Sequence, residues 1–287
     1  MILTLFGYSF GGAQQDFELT EVELSLGEVR TGDISWPLRH GSRPGVDYLE
    51  SGSITFTAVT TFGINDEYSA DDVVGKFLMA WRQGLSLPPG VEVPLRVSTP
   101  SKERIVYGRP RKVDPPVPGS TSMDQGIAEL TALFAISDPL AYGADPAKVS
   151  LSVVPKSLGG IIAPLITPIS TTKTSGVEYR QIEVDGDAPA PIKVTFHGPA
   201  TDPRMTVDNA VVGIRGNILY DEEIIVDGRN RTVTYADGRQ ASMKLTKESR
   251  MDKLTVQPGT HEISFTATDR TGTARITVEA TPAYYHI

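Results

Sequence analysis

Chemistry in this chain would have to come from four histidines, 35 acidic residues and no cysteine at all. His40, His197, His261 and His286 are scattered, and none stands at metal-ligand spacing from another histidine or from a carboxylate pair on a helix. The lack of cysteine excludes a thiolate nucleophile, a disulfide framework and Cys-rich zinc or iron-sulfur sites, and a reducing compartment during folding is the simplest reading. No Gly-x-Ser-x-Gly elbow, P-loop or dinucleotide fingerprint occurs; Gly11-Gly12 and Gly159-Gly160 are lone pairs without a strand-to-helix context. No catalytic residue, metal ligand or cofactor site is therefore expected.

Carboxylates are the more serious possibility. Asp221, Glu222 and Glu223 adjoin Tyr220, and on a strand Asp221 and Glu223 would share one face. Two carboxylates about 5 to 10 Å apart can hydrolyse a glycosidic bond. A solvated strand start that discourages edge pairing accounts for the same residues more simply. Asp185 and Asp187 flank a turn and lack the further oxygen ligands of a calcium loop. Arg109, Arg111 and Lys112 form the densest basic stretch; on a strand both arginines point the same way, suited to a partner's carboxylates. Asn230-Arg231-Thr232 matches a glycosylation acceptor, which carries no weight without a secretory signal.

The elements that would position these residues are mostly strands. Ile2 to Phe10, Phe17 to Val29 and Ser53 to Phe62 alternate at period two, with a long polar loop from Thr31 to Gly52 between the last two. One helix is expected from Ser69, with Val74, Phe77, Leu78, Trp81 and Leu85 on its apolar face and Gly84, Pro88, Pro89 and Gly90 stopping it. Such a helix must lie against a sheet, which makes its aromatic residues core. Residues 91–114 read as a hairpin turning at Thr99 to Lys102, and Gly126 to Gly143 as a strand closing with Asp138, Pro139 and Tyr142.

Composition changes between Gly143 and Ser175, where Pro, Gly and Ser are scattered and charges are few, so two domains are expected, 1–148 and 149–287. The second half is a run of short strands, YRQIEV, PIKVTFHG, MTVDNAVVGI, EEIIVDG, RTVTYADG, ASMKL, KLTVQPG, HEISFTATD and TARITVEA. Turns at Asp185-Gly186, Asp227-Gly228, Asp237-Gly238 and Pro258-Gly259 punctuate it, the pattern of a jelly-roll-like or lectin-like β-sandwich. The 27 glycines and 21 prolines among 287 residues suit such a protein and not one of long helices. With 39% hydrophobic and 22% charged residues the chain lies in the globular range. A net charge of −8 argues against an open nucleic-acid surface. No apolar run approaches a membrane span, and the first residues lack signal-peptide features, so synthesis in the cytoplasm and no membrane insertion are expected.

Two segments go beyond a generic β pattern. LFAISDPLAYG, residues 133–143, sets Phe134 ahead of Asp138-Pro139 and Tyr142; LTVQPGTHEISFTATDRTGTARITVEATPAYY sets Leu254, Pro258 and Gly259 before two closing strands and an aromatic finish. Together with GDAPAPIKVTFHGPATDP and IIVDGRNRTVTYADGR, this order resembles the distal tail proteins of phages with long, non-contractile tails. The closing strand has TVEATPAYY where that family typically places a Trp.

The resemblance implies a mainly β protein: an N-terminal ring-forming β-sandwich or split-barrel domain with one helix, then a C-terminal galectin-like β-sandwich. It implies a structural role in the virion tail tip, as a homo-hexamer joining the tail tube protein to the baseplate hub or tail-associated protein. The tape measure protein and DNA would pass through its axial channel, and an acidic lumen would repel DNA. For the ring contacts the loop at Thr31 to Gly52 and the 91–114 hairpin are candidates, with Trp36, Arg39, Arg43, Arg109 and Arg111 as contact residues. A carbohydrate-binding module for receptor recognition is the alternative, and a tail-associated polysaccharide hydrolase a more distant one. Sugar binding calls for an exposed aromatic platform. The only tryptophans, Trp36 and Trp81, lie in the first domain.

Overall fold

The computed structural model describes residues 1–12, 15–25, 27–61, 70–153, 178–269 and 272–287. It is mainly β, as expected, and divides into two units, Met1–Ala144 with Tyr284–Ile287, and Asp145–Ala283.

In the first unit the strands are β1 (Ile2–Leu5), β2 (Tyr8–Phe10), β3 (Glu18–Ser25), β4 (Val29–Arg30), β5 (Ile34–Ser35), β6 (Ser42–Arg43), β7 (Tyr48–Leu49) and β8 (Ser53–Thr61). They are followed by helix α1 (Ala70–Arg82), β9 (Val93–Ser98), β10 (Glu103–Asp114), the single turn α2 (Thr121–Asp124), β11 (Ile127–Ile136) and β12 (Ala141–Gly143). Hydrogen bonding runs in the order β2-β1-β9-β10-β11-β8-β3, with β12 also on β10. Phe6 and Gly7 both take positive φ, the requirement of the tight turn that reverses β1 into β2. Beyond β2, Gly11 bridges Glu18 at the start of β3, and the Gly11 N–H donates to the Phe17 carbonyl at 2.7 Å, so the two outer strands meet and the sheet closes on itself.

Period-two alternation fills this barrel. Ile54, Phe56 and Ala58 of β8 and Leu130, Ala132, Phe134 and Ile136 of β11 all face inward. Helix α1 adds Val73, Val74, Phe77 and Trp81. The Phe77 ring stands edge-on to Phe10 at 5.3 Å and to Phe17 at 5.5 Å and stacks on Trp81 at 5.5 Å. Leu85 is 73% exposed and leaves the expected helical face, because the chain tightens into a 3-10 turn over Gln83–Ser86 and rotates that side chain outward. Ser69, the expected start of the helix, lies outside the described residues. The last residues, expected in the second domain, belong here: Tyr284 and Ile287 pack against the first core, and the Arg104 guanidinium sits 3.6 Å from the Tyr284 ring centroid.

The second unit contains β13 (Ala147–Ser152), β14 (Glu178–Val184), β15 (Ala190–His197), β16 (Ala200–Val207), β17 (Ala210–Gly213), β18 (Asn217–Ile218), β19 (Glu223–Asp227), β20 (Thr232–Tyr235), β21 (Thr255–Val256), β22 (Gly259–Thr268) and β23 (Arg275–Ala280). One sheet runs β13-β23-β15-β19-β20 with β21 on β15; the other runs β14-β22-β16-β17 with β18 on β16. Val194, Phe196, Ile224 and Ile276 from the first sheet and Met205, Ile263 and Phe265 from the second share one apolar core, the arrangement of a sandwich.

Three details differ from the sequence reading. MTVDNAVVGI is a hairpin and not one strand, since Asp208 takes positive φ and Val207 pairs with Ala210. ASMKL holds a 3-10 turn at Ser242–Lys244. Ala147 already pairs with Ala280, so β13 starts ahead of the expected join at 148/149; most of the compositional boundary lies outside the described residues.

Candidate functional site

Of the residues singled out for chemistry, the structure gathers His197, Asp221, Glu222 and Glu223 at the end of one sheet of the second unit, and in the first it places Trp36, Arg39 and Arg43 on an exposed arm and Arg109 and Arg111 on β10. Residues 27–52 were expected as a loop. Instead β4 pairs with β7 and β5 with β6, a two-step antiparallel ladder that continues the β3/β8 pair. Gly and Pro break its sequence into pairs too short to show alternation. Every described residue of this arm from Val29 to Ser51 is exposed, including Val29, Ile34, Trp36, Leu38 (97%), Val46, Tyr48 and Leu49. At its tip the Trp36 N–H reaches the Gly41 carbonyl at 3.5 Å, with Arg39, His40 and Arg43 around it; lower down the Asp33 carboxylate accepts from the Gly45 N–H at 3.0 Å. The arm is thus ordered by its backbone and presents apolar side chains that its own chain does not cover.

Arg109 behaves differently from the expectation of a free contact residue. Its guanidinium donates to the Val91 carbonyl at 2.6 Å and to the Pro88 carbonyl, clamping the loop that follows α1. Arg111 has no hydrogen bond or ion pair among the described residues, and with Arg109, Glu92 and Ser137 it lines a cleft of about 510 Å³. The hairpin carrying them is central to the barrel: Val93, Leu95, Val97 and Val106 are core, so only its outer face is available to a neighbour.

The motif residues are structural. Phe134 is fully buried. Asp138 accepts from the Leu140 N–H at 3.2 Å and from the Tyr142 hydroxyl at 2.6 Å, which locks the turn between β11 and β12, and Tyr142 meets the Tyr107 ring edge-on at 5.6 Å. Leu254 is buried under β15, and Pro258 leads into Gly259, whose positive φ starts β22.

In the second unit, register decides what meets what. His197 ends β15 directly opposite Glu223 on β19 and Arg275 on β23. Its Nδ1 lies 2.7 Å from Glu223 Oε1 and its Nε2 3.0 Å from Thr277 Oγ1. The expected face shared by Asp221 and Glu223 does not form: Asp221 sits in the turn before β19, while Glu223 is the first residue of that strand and is held by His197. Glu222 closes the turn, its carboxylate accepting from the Leu219 N–H at 3.0 Å. A cleft of about 480 Å³ runs between His197, Tyr220, Asp221, Glu222, Glu223, Thr273 and Arg275. His261 is held elsewhere, by Asp208 at 2.7 Å and the Gln257 carbonyl at 2.6 Å; His286 lies beside Tyr284.

Nearby on the outer face, Glu279 stands between Lys148 at 2.8 Å and Lys193 at 3.5 Å, opposite both in register. The hydrogen bond from Lys148, reinforced by the charge of Lys193, holds its carboxyl below the usual range. In the first unit burial pushes the Tyr8 phenol well above its ordinary value, helped by Asp16, whose carboxylate accepts its hydroxyl at 3.1 Å. Among the described residues no group of three or more His, Asp or Glu is placed to hold a metal ion, and no helix is long and apolar enough to cross a membrane.

Residues 185–284 match the family model of the siphovirus-type tail component, C-terminal domain. Across its whole length the chain has the fold of SPP1 Dit, described as a paradigm of the hub adsorption apparatus in phages that infect Gram-positive bacteria: TM-score 0.60, 16% identity, 98% of each chain covered. It also resembles a chain of the phage P2 baseplate in its activated conformation with calcium, at TM-score 0.56 and 12% identity over 94% of this chain and 91% of that one. A chain of the same baseplate with strontium gives TM-score 0.51 and 13% identity, over 93% and 91%. No curated protein sequence matches the chain. The resemblance read from residues 133–143 and 254–285 is thereby borne out, in the match of residues 185–284 to that domain model and in the fold that the whole chain shares with SPP1 Dit.

Proposed function

We propose that this chain, a two-unit protein ending in a siphovirus-type tail-component domain, is a non-catalytic distal tail protein of a phage or phage-like particle. Six copies close into a ring at the tail tip that joins the tail tube protein to the baseplate hub, with the channel open to DNA and the tape measure protein. The observation that carries this reading is the arm. A ladder whose apolar residues are all uncovered by its own chain is stable as a surface only if another surface receives it, and a repeated one-way contact of this kind closes a ring when its rotation divides the circle. Trp36, Arg39 and Arg43 at the tip and Arg111 on the outer face of β10 are the contact residues. Arg109 acts indirectly, by holding the loop at Pro88 to Val91 beside Arg111.

Native mass spectrometry of the full chain tests this. A six-fold species is expected, reduced to a folded monomer when residues 28–50 are replaced by a two-residue β-turn joining β3 to β8. A monomeric wild-type chain, or six-fold rings that persist without the arm, would overturn the reading.

A further inference from the structure

The turn between β18 and β19 raises an apolar ridge that the ring contacts do not use. Leu219 is 62% and Tyr220 74% exposed. Tyr220 stands between two clefts of the second unit. The larger, about 610 Å³, has an apolar side made by Pro199, Ala200, Ile218, Leu219 and Tyr220, and from it Ala200 and Ile218 reach into the sandwich core. The smaller, about 480 Å³, is polar and carries Asp221, Glu222, Glu223 and Arg275.

Neighbouring backbone holds the ridge in place. The Glu222 N–H donates to the Leu219 carbonyl at 3.1 Å, the Leu219 N–H to the Glu222 carboxylate at 3.0 Å, and the Gly198 N–H to the Glu222 carbonyl at 3.0 Å. Gly198 allows this approach, since a Cβ there would run into the Leu219 carbonyl. Ile218 pairs with Ala200, which ties the foot of the ridge to β16. An exposed Leu-Tyr pair on a turn fixed in this way loses little freedom when a partner covers it.

The surround is acidic. Asp221, Glu222 and Glu223 follow the ridge, and Asp269 lines the larger cleft. Among the described residues that line the two clefts Arg275 is the one arginine or lysine, with Lys244 at the edge, its Nζ donating to the Asn217 carbonyl at 3.0 Å. Asp221 forms no hydrogen bond or ion pair among the described residues, so its charge is open to a partner.

We propose that the Leu219-Tyr220 ridge is a docking surface for a segment of a different protein that carries an aliphatic or aromatic anchor with Lys or Arg beside it. The anchor enters the larger cleft against Ile218 and Tyr220, and the basic side chain meets Asp221 and its acidic neighbours. Such an interface has an aromatic centre and a charged rim, and complementary charge at the rim selects the partner and speeds encounter. A second copy is the poorer occupant. The chain has net charge −8, and its arm, residues 28–50, sets Glu28, Asp33, Asp47 and Glu50 against Arg30, Arg39 and Arg43. The surface lies within one copy of the second unit and does not depend on ring closure.

The test uses the intact chain with synthetic peptides. One carries a central Leu-Phe pair flanked by lysines, another the same pair flanked by glutamates, and a third keeps the lysines around Ala-Ala. A peptide of residues 28–50 stands for a second copy. The lysine-flanked Leu-Phe peptide is expected to bind by calorimetry and to shift the amide resonances of residues 199–201 and 217–223. Tyr220→Ala and Asp221→Lys, both at exposed positions where circular dichroism should stay native, should each weaken it by about tenfold or more. Added salt should weaken it too, and Trp36→Ala should leave it unchanged. No binding at about 1 mM, equal binding of the glutamate-flanked or Ala-Ala peptide, indifference to Tyr220→Ala, or shifts confined to other surfaces would overturn the inference. So would preferential binding of the 28–50 peptide, which would make a second copy the occupant. Native mass spectrometry of the same samples reads the ring separately: a monomer that takes up the lysine-flanked peptide keeps the docking surface and loses the ring, and a hexamer blind to every peptide does the reverse.

Discussion

The two units spend their apolar residues differently. The first concentrates aromatic rings in its barrel, with Phe77 and Trp81 from α1 meeting Phe10, Phe17 and Phe56, and then leaves seven large apolar side chains uncovered along one arm. The second distributes its core over many Val, Ile and Ala positions on two sheets, and the large apolar side chains it exposes among the described residues are scattered, Tyr179 on β14, Leu219 and Tyr220 at a turn and Met243 in a 3-10 turn. An arm of this kind suits a large, repeated protein contact; a short ridge with an acidic surround suits one anchored segment. The difference also makes the two cores unequal in how they fail, since a ring at the hub of an aromatic cluster is hard to replace and one valine among many is not.

The largest effect is expected at that hub. Phe77→Ala removes a side chain packed on several rings and should destabilise the first unit by about 3–5 kcal/mol, whereas Val226→Ala in the second core should cost about 1–3 kcal/mol. Denaturant unfolding with hydrogen exchange assigned to each unit would compare them, and equal losses would erase the contrast. Removing the Tyr142 hydroxyl with Tyr142→Phe should cost about 1 kcal/mol in the first unit, because the half-buried Asp138 carboxylate loses one of its donors; exchange in β11 and β12 is the readout.

Smaller effects follow from titration. The Tyr8 phenol is raised in the folded state, so the stability it contributes is present below the ordinary tyrosine value and is lost as pH climbs through the folded one. Tyr8→Phe should therefore flatten the alkaline loss of stability of the first unit, and an unchanged alkaline limb would count against the burial of the phenol and, after it, the Asp16 contact. Glu279 has the opposite sign. Its lowered carboxyl contributes above the ordinary glutamate range, and that contribution is lost as pH falls through the folded value. Both lysines are largely exposed, so Glu279→Gln should cost less than about 1 kcal/mol at neutral pH and reduce the acid sensitivity of the second unit, measurable as a smaller shift of the unfolding midpoint between neutral and acidic buffer.

Much of this was readable beforehand because alternation is a local property. The strands of the barrel and sandwich, the helix with Phe77 and Trp81 inward, and the turns at Asp185-Gly186 and Pro258-Gly259 each show within a few residues. The Asp138-Pro139-Tyr142 turn was visible as a motif, though not its hydrogen bonds. The arm was not visible as strands: its ladder is made of two-residue pairs between glycines and prolines, and a ladder exists only when its partner is placed. For the same reason the face that Asp221 and Glu223 were expected to share proved to be a turn followed by a strand.

The sequence by itself determined a mainly β chain free of cysteine chemistry, whose second half resembles a siphovirus-type tail component in its turn and strand order. Tertiary structure alone decided that His197 would hold Glu223 across two strands, that Arg109 would turn inward on a loop while Arg111 stayed free, that the last four residues would return to the first core, and that Tyr220 would stand between two clefts. Each of these joins residues distant in the chain, and such pairings depend on sheet register and barrel closure, which summed long-range burial fixes and no short window of residues contains.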